Sequence, residues 1–390
     1  MEEIIKEKAA VSLRACENYE MQTVRHALQA LFDDISVKKE EISGKRVVIK
    51  PNLVRKMDIS AAGTTNPFVV EALIALCTEY GAKSVTVAES PAGPYTEASL
   101  RASYKVGKMD EAAKNAGAEL NFDLSAKRVA SLGYSKERTF NIIAPIVEAD
   151  LVINVSKLKT HNRTGMSGAV KNLFGVIPGT EKLEMHALYP NLSDFSAMIC
   201  DLCETVCKSV ETLHVIDAVI GMEGNGPTNG KPRKLGFMGA SRSPFALDEA
   251  CAEIIGMKEH SSINAQAKTR GFLPDYDVIG DGNEAFVCKD FILPDSSDTN
   301  RSAINILSKL FGGKLMESLR PRPVVDGKKC VGCGECARSC PAKTIVITDK
   351  KVALIYKKDC IKCFCCQELC PKDAIRVKKN PILKLVGLFT

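Results

Sequence analysis

Several common signals are missing from this sequence of 390 residues. No apolar run reaches the roughly 18 residues that a membrane-spanning helix needs, so no membrane span is expected. The acidic start Met1–Lys6 has no hydrophobic segment of the kind that a secretory signal carries, which favours a cytoplasmic protein. The five histidines form no HxH or HExxH pair, so a metal site that includes His161 and His186 is only a minor alternative.

Fingerprints of nucleotide binding are missing as well. Asn225 stands where a Walker A motif needs its first glycine, and Pro232 stands where that motif needs serine or threonine. The pair Gly224 and Gly226 is not followed by a third glycine at the spacing of a dinucleotide-binding loop, because Asn229 occupies that position. We therefore expect no ATP or NAD site.

Cysteine is abundant and unevenly distributed. Nine of the 16 cysteines lie between Cys330 and Cys370. Residues 321–390 carry 15 basic and 6 acidic residues, whereas the rest of the chain carries 38 basic and 41 acidic residues. Because cysteine density and charge change together, a separate C-terminal domain is expected. In a reducing compartment, clustered cysteines are metal ligands more often than disulfides.

Eight of these cysteines follow one spacing that occurs twice, 30 residues apart. The two copies are Cys330-x2-Cys333-x2-Cys336-x3-Cys340-Pro341 and Cys360-x2-Cys363-x2-Cys366-x3-Cys370-Pro371. In the two-cluster ferredoxin pattern, the fourth cysteine of each copy binds the other cluster. The predicted ligand sets are therefore Cys330, Cys333, Cys336 and Cys370 for one [4Fe–4S] cluster, and Cys360, Cys363, Cys366 and Cys340 for the second. The alternative is two structural zinc sites, but zinc gives no reason for a third evenly spaced cysteine.

Residues 327–380 resemble the bacterial two-cluster ferredoxins. The segments Thr344–Ile347 and Val352–Ile355 are predicted as the strands of the hairpin between the two copies, and Cys365 is predicted not to be a ligand. The resemblance implies a small α+β domain that transfers one electron at each cluster.

The first 300 residues alternate between strand and helix signals. Short apolar runs predict strands at Arg46–Lys50, Ser84–Ala88, Leu151–Val155 and His214–Val219, and a helical pattern starts at Asn66. Strands that alternate with helices predict an α/β domain with a mostly parallel sheet and helices on both faces. Ligands of such sheets bind at the carboxyl ends of the strands.

Polar residues follow each predicted strand at that edge, which predicts a shared pocket. The residues expected to bind a substrate there are Lys50, Asn52, Lys157, Lys159, Asn172, Glu223 and Asn225. Lys157, Lys159 and His161 alternate and should share one face of an extended segment. Ser167 is expected to cap a helix that carries Lys171, so that cations and a helix N-terminus form an anion site. A solvated basic loop is the alternative.

Two of these residues are assigned catalytic roles. His161 is expected to supply a proton, because the pKa of histidine ordinarily lies near neutrality. Lys171 is expected to hold the negative charge of the substrate, together with Lys157 and Lys159. Cys200, Cys203 and Cys207 have helical spacing and are interpreted as a buried stripe rather than as ligands of a third cluster.

The polar segments resemble the conserved family named domain of unknown function 362. The residues that carry the resemblance are Lys50-Pro51-Asn52-Leu53, Thr65-Asn66-Pro67, Asn154, Lys157, Lys159-Thr160-His161, Ser167–Gly175, Asp217 and Gly221–Pro227. The resemblance covers roughly residues 8–290, and fusion to a two-cluster ferredoxin is common in that family. It implies no catalytic assignments, because no reaction is firmly assigned to the family.

The sequence thus predicts four parts. They are an α/β domain (1–305), an amphipathic helix with a proline-rich connector (306–326), a ferredoxin domain (327–380) and an apolar tail (381–390). The leading hypothesis is a ferredoxin-type oxidoreductase that delivers electrons through two [4Fe–4S] clusters to a small anionic substrate. Its redox partner would be a ferredoxin or flavodoxin-like protein, with no nucleic-acid partner; a flavin is possible but not indicated. The alternatives are an electron-transfer or cofactor-assembly partner, and a redox sensor without turnover.

Overall fold

The computed structural model describes residues 8–132, 138–296 and 321–378. The apolar positions of the predicted connector helix, Ile306–Leu315, and the predicted tail 381–390 lie outside the described residues. Within the described residues, no helix is both long enough and apolar enough to cross a membrane.

The described residues form strands and helices that are numbered here in chain order. The strands are β1 (Ala9–Ala15), β2 (Arg46–Lys50), β3 (Ser84–Val87), β4 (Glu119–Leu120), β5 (Ala126–Ala130), β6 (Thr139–Ile143), β7 (Leu151–His161), β8 (Gly165–Ser167), β9 (Glu211–Asn225), β10 (Asn229–Ser241), β11 (Tyr276–Gly280), β12 (Arg322–Val325), β13 (Ile345–Ile347), β14 (Ala353–Ile355) and β15 (Ile375–Lys378). The α-helices are α1 (Met21–Asp34), α2 (Pro67–Glu79), α3 (Glu97–Val106), α4 (Met109–Ala116), α5 (Ala144–Val147), α6 (Ala169–Asn172), α7 (Glu181–Leu188), α8 (Leu192–Ser209), α9 (Pro244–Ile254), α10 (Ser262–Thr269), α11 (Glu335–Arg338) and α12 (Cys365–Glu368).

One large mixed sheet organises the N-terminal region. Its strand order is β11-β1-β10-β9-β7-β2-β3-β4, and β8 pairs with β7 outside this path. The run β9-β7-β2-β3-β4 is parallel throughout, whereas β10 is antiparallel to both of its neighbours. The predicted α/β class with a mostly parallel sheet is therefore confirmed.

Alternation along β2 explains why helices cover both faces of this sheet. Val47 and Ile49 are buried in a core that includes residues of α1 and α2. Val48, between them, points to the other face and joins a core that includes residues of α8. Helix α2 begins after Asn66, whose side-chain oxygen accepts a hydrogen bond from the backbone N–H of Phe68.

The two longest strands of the parallel run extend well past their predicted ends. Strand β7 continues from the predicted Val155 to His161, and β9 continues to Asn225. The two strands pair in parallel with a register irregularity between Lys157 and Lys159. As a result, β7 carries the predicted basic residues into the interior, where every residue from Leu151 to His161 is buried.

The C-terminal region has its own small core and sheets. Strand β12 pairs with β15, and β13 pairs with β14 in the hairpin predicted between the two cysteine motifs. The core contains four cysteines together with Ile345, Ala353, Ala374 and Ile375. Each cysteine motif ends in a single helical turn, α11 or α12.

Candidate functional site

Two hollows in the C-terminal region are each surrounded by four of the eight repeated cysteines. Cys330, Cys333, Cys336 and Cys370 line the first, and Cys340, Cys360, Cys363 and Cys366 line the second. These are the two sets expected from the spacing. In the part of the chain that the structure describes, no three His, Cys, Asp or Glu side chains are placed to hold a single metal ion. The four cysteine sulfurs around each hollow are the donor set of a [4Fe–4S] cluster, so the residues present fit one such group in each hollow.

Backbone N–H groups point at several of these sulfurs. The N–H of Thr344 donates to Cys340 Sγ at 3.4 Å, that of Ala353 donates to Cys330 Sγ at 3.4 Å, and that of Ala374 donates to Cys370 Sγ at 3.3 Å. Such donors stabilise the negative charge of thiolate ligands and raise the reduction potential of a bound cluster.

A larger cavity lies at the carboxyl ends of β2, β3 and β7. Its floor comes from the α/β domain, and α12 of the C-terminal domain supplies Cys365 and Glu368 to its wall. The polar residues that line it are Asn52, Glu89, Ser90, Lys159, His161, Ser167, Lys171, Asn172, Lys182, His186 and Glu368. The position agrees with the rule that ligands of α/β sheets bind at strand ends.

The C-terminal domain is held against this cavity by one glutamine of α12. Asn162 Nδ2 donates to Gln367 Oε1 at 2.7 Å, and Gln367 Nε2 donates to the backbone oxygen of Asn225 at 3.2 Å. Gln367 is buried. A more exposed ion pair between Arg55 and Asp373 adds a second contact at 3.2 Å. These contacts place α12 between the second cysteine hollow and the cavity.

His161 lies in the cavity with its tautomer fixed by the backbone. Its Nδ1 accepts hydrogen bonds from the N–H groups of Arg163 at 3.1 Å and Thr164 at 3.3 Å, so Nε2 carries the hydrogen. Burial, helped by Lys171 and the other nearby cations, lowers the pKa of His161 well below its ordinary value. The expectation of a pKa near neutrality is therefore not met, because burial and cations disfavour the imidazolium. His161 can donate a hydrogen bond from Nε2, but it is poorly suited to deliver a proton as an imidazolium.

Two buried polar atoms at the cavity wall lack a hydrogen-bond partner among the described residues. They are His161 Nε2 and Glu368 Oε1, which lie 3.3 Å apart without the alignment of a hydrogen bond. His161 is only 1% exposed. Unsatisfied buried polar groups are uncommon, and both atoms adjoin the same cavity.

Lys171 projects from the short helix α6 into the cavity. Among the described residues its Nζ has no ion pair or hydrogen bond, and it lies 5.6 Å from the ring centroid of Phe174. Burial lowers the pKa of Lys171. A lysine without a partner at a cavity wall can hold an anion, and a lowered pKa makes it a better proton donor than an ordinary lysine.

The predicted anion site at the N-terminus of α6 is filled by the protein itself. Asp248 accepts hydrogen bonds from the backbone N–H groups of Ala169 and Val170, whereas Ser167 ends strand β8 and does not cap the helix. Gly168 makes this possible, because a Cβ there would lie 2.2 Å from Asp248 Oδ1. The cations rather than the helix terminus are therefore available to a ligand.

Three asparagines form a buried hydrogen-bond chain under the cavity. Lys159 Nζ donates to Asn52 Oδ1 at 2.8 Å, and Asn52 Nδ2 donates to Asn172 Oδ1 at 2.8 Å. Asn172 Nδ2 in turn donates to Asn154 Oδ1 at 2.8 Å. Lys159 also donates to the backbone oxygen of Gly63. The chain fixes the orientation of Asn52 and Asn172 at the cavity floor.

Four of the predicted substrate-binding residues do not line the cavity. Lys50 forms a 2.7 Å ion pair with Glu89, and Lys157 forms a 2.9 Å ion pair with Asp217. Glu223 accepts from the backbone N–H of Ile292, and the side chain of Asn225 bonds to Asp295. The cavity does bring together the other predicted residues, which are Asn52, Lys159, His161, Lys171 and Asn172.

Sequence reasoning missed Lys182, Glu89 and Glu368. Lys182 and His186 are four residues apart on α7, so one face of a predicted helix could have indicated them. Glu368 had no usable sequence signal, because it reaches the cavity only through the docking of α12. Cys200 and Cys203 are buried on α8 as predicted, and Cys207 is half-buried.

Comparison with protein families matches residues 47–253 to "Domain of unknown function (DUF362)" and residues 322–371 to "4Fe-4S dicluster domain". A thylakoid-associated protein of Synechocystis sp. is 29% identical over 256 residues, which are 63% of this chain and 74% of that protein. A ferredoxin of Methanothermococcus thermolithotrophicus is 40% identical over 57 residues, which are 14% of this chain and 95% of the ferredoxin. The resemblances inferred from the sequence are thus confirmed, and the C-terminal domain is an iron–sulfur domain of the ferredoxin type.

A solved structure of the lactate racemase apoprotein from Thermoanaerobacterium thermosaccharolyticum is more distant. It is 16% identical with a TM-score of 0.39, and the match covers 62% of this chain and 56% of that chain. The chain therefore matches little more than half of that structure, and a similarity of this level carries no functional argument.

Proposed function

The chain belongs to the family described as Domain of unknown function (DUF362), and from that premise we propose that it is a ferredoxin-type oxidoreductase acting on a small anion. Its eight repeated cysteines would hold two [4Fe–4S] clusters, in the two sets that line the two hollows. Electrons would pass through the clusters to a substrate in the cavity between the domains. A two-electron reduction would take one electron from each cluster, one proton from Lys171 and one proton from water, and the reverse reaction would return them.

The position of α12 carries this proposal. Cys366 lines the second hollow, while Cys365 and Glu368 of the same helical turn line the cavity. A substrate in the cavity would thus be separated from a cluster by one turn of helix. The cavity is also concave and lined by basic residues, which supports an enzyme over an electron carrier with a flat apolar docking face.

The chain's own residues can perform the steps around the electron transfer. When bound, each cluster supplies or accepts one electron at a time. Lys171 neutralises the negative charge of the substrate, and its lowered pKa suits it to give up a proton as electrons arrive. His161 donates a hydrogen bond from Nε2, and Asn52 and Asn172 orient the substrate from below.

Electrons would enter at the first hollow, which has an exposed cysteine at its rim. Cys333 is exposed there, and Val331 beside it is 56% exposed. Lys328 and Lys329 lie nearby in sequence and Lys372 lines this hollow, so the rim is basic, whereas Arg338 is neutralised by a 2.8 Å ion pair with Glu335. A basic rim around an exposed redox centre attracts an acidic carrier, such as a ferredoxin or flavodoxin-like protein.

The direct test is reoxidation of the reduced clusters. Protein purified without oxygen is first analysed for iron, sulfide and flavin, since a flavin would add a carrier between cluster and substrate. The clusters are then reduced with dithionite, and fractions of an anaerobic metabolite extract are added while the visible absorbance is followed. We expect one fraction to reoxidise the clusters with formation of a product. Intact clusters that no fraction reoxidises would count against catalysis.

A matched pair of lysine variants assigns the site. Lys171→Met should reduce reoxidation by the active fraction about 100-fold or more while cluster absorbance is retained. The control is Lys114→Met, because Lys114 is exposed on α4, and it should react like the wild type. Equal rates for all three proteins would remove Lys171 from the site.

A further inference from the structure

The charges around the cavity do not balance among the described residues. Three lysines line it without a carboxylate partner: Lys159, Lys171 and Lys182. The two acidic residues of the lining are Glu89 and Glu368. Glu89 is already neutralised by its 2.7 Å ion pair with Lys50, so Glu368 offsets at most one of the three lysines.

The neighbours of the three lysines are neutral oxygens. Lys182 Nζ donates to Ser90 O, Ser90 Oγ and Ile177 O, at 2.8, 3.0 and 2.6 Å. Lys159 Nζ donates to the amide oxygen of Asn52 and to a backbone oxygen, and Lys171 Nζ lies over the Phe174 ring. Buried cations are normally paired, so the buried Lys159 and Lys182 beside the half-buried Lys171 are a costly arrangement unless a ligand supplies the missing charge.

The lysines are close enough to act on one ligand. All three line the same cavity, and the charge of Lys171 lowers the pKa values of Lys159, Lys182 and His161. The groups that face the three lysines are Lys50, Glu89, Lys157, Arg163, Glu181, Cys365 and Glu368. Arg163, just behind the wall, also lacks a carboxylate and bonds to His186 and to the backbone oxygen of Tyr189.

We propose that the cavity binds a ligand with two negative charges, either a dicarboxylate or a phosphate ester, and that Lys171, which has no ion pair or hydrogen bond among the described residues, contacts it. The inference rests on the proposed function for the site but not on electron transfer. With the three lysines protonated and Glu368 ionised, the lining carries two positive charges, which a bound dianion neutralises and a monoanion does not. His161 Nε2–H adds a neutral donor, which favours an oxygen acceptor on the ligand. Glu368 disfavours a third negative charge on the α12 side.

The test compares ligands that differ in charge but hardly in shape. Binding to anaerobic, cluster-loaded protein is measured by calorimetry for succinate against succinamate, and for methyl phosphate against dimethyl phosphate. In at least one pair the doubly charged member should bind about tenfold tighter or more. The pair that discriminates identifies the dicarboxylate or the phosphate ester. Two pairs that both fail to discriminate would overturn the inference.

Proton uptake gives a second readout. Burial lowers the pKa of all three lysines, and a bound dianion should raise those pKa values again. Calorimetry in two buffers with different ionisation enthalpies should therefore show that binding takes up protons from the buffer. Lys171→Met should abolish the charge preference, and the exposed control Lys114→Met should keep it. If Lys171→Met still prefers the doubly charged ligand, Lys171 does not contact that ligand as proposed.

The outcomes separate this inference from the proposed function. If succinamate and dimethyl phosphate bind as tightly as their doubly charged partners while the clusters are still reoxidised by a metabolite, the inference is wrong and the oxidoreductase stands. If a dianion is preferred and no metabolite reoxidises the clusters, the dianion site stands and the oxidoreductase is wrong.

Discussion

At the scale of single residues, the site depends on basic side chains that are buried without carboxylate partners. Lys182 is 8% exposed, and burial lowers its pKa from the ordinary 10.5 to about 7. Its Nζ is satisfied by three oxygens without charge. Such a lysine lowers the free energy of unfolding at every pH at which the unfolded chain binds its proton more tightly than the folded chain does. Its contribution can therefore be measured from the pH dependence of stability.

The sign of the effect for Lys182 is fixed by its two pKa values. Between pH 7 and pH 10.5 the unfolded chain binds the Lys182 proton and the folded chain largely does not, so this residue makes stability rise with pH. The slope is at most about 1.4 kcal/mol per pH unit. Lys182→Met should remove this part of the slope. The midpoint temperature of unfolding is measured by calorimetry under argon at pH 7, 8, 9 and 10. As the pH increases, the midpoint of the wild type should rise relative to that of Lys182→Met.

The exposed Lys114→Met protein serves as the control for this slope. Its midpoints should follow those of the wild type at every pH, because Lys114 is exposed on α4. A constant difference in midpoint between wild type and Lys182→Met from pH 7 to pH 10 would show that Lys182 is not buried in its neutral form.

Substitution of two adjacent cysteines, Cys365 and Cys366, should have different effects on the iron content of the protein. Cys366 lines the second hollow, whereas Cys365 lines the cavity. Cys366→Ser should therefore lose or damage one [4Fe–4S] cluster, with iron falling from about eight to about four per chain. Cys365→Ser should keep the full iron content. Iron and sulfide analysis of anaerobic preparations checks both, and iron loss in Cys365→Ser alone would reverse the assignment.

At the scale of elements, the single turn α12 joins the two domains at the cavity. Gln367 is buried and connects Asn162 with the backbone of Asn225. Gln367→Met should leave Asn162 without its acceptor, at a cost of about 1 to 3 kcal/mol. We expect faster hydrogen exchange at residues 159–163 and 365–369, because the docking contact is lost.

The neighbouring ion pair provides the comparison for Gln367. Asp373→Asn removes the contact with Arg55, and the Asp373 side chain is 50% exposed. Exposed pairs contribute only about 0 to 1 kcal/mol, so this variant should exchange like the wild type. If the two variants exchange alike, the docking does not depend on Gln367.

Elements with local signals were predictable, and elements set by distant contacts were not. Strand β2 and the start of α2 at Asn66 follow from alternation and capping, and both lie where the sequence placed them. Ser167 was expected to cap α6, but Asp248, some 80 residues later, supplies the carboxylate. Lys50 and Lys157 were expected at the carboxyl ends of strands, as Lys159 was. In the structure, however, Lys50 forms an ion pair with Glu89, and Lys157 forms one with Asp217. Partners far along the chain decide which lysines remain available to a ligand.

At the scale of the whole molecule, the two domains share one site that neither completes alone. The α/β domain supplies Lys159, His161 and Lys171, and the ferredoxin-type domain supplies Cys365 and Glu368. The repeated cysteine motif predicts the second domain from spacing alone, but nothing in the sequence indicates which of its faces meets the cavity. Under the proposed function, this shared site would explain why an iron–sulfur domain and a basic cavity occur in one chain.

The central claim is that an anion in this cavity lies beside the cluster held by Cys366. Pulsed electron paramagnetic resonance on dithionite-reduced protein tests it, with carboxyl-labelled [13C]succinate or with methyl phosphate as the bound anion. The account predicts a 13C or 31P coupling to a cluster signal in the wild type, and no coupling in Lys171→Met. A wild-type protein that binds the anion by calorimetry but shows no coupling to either cluster would contradict the account.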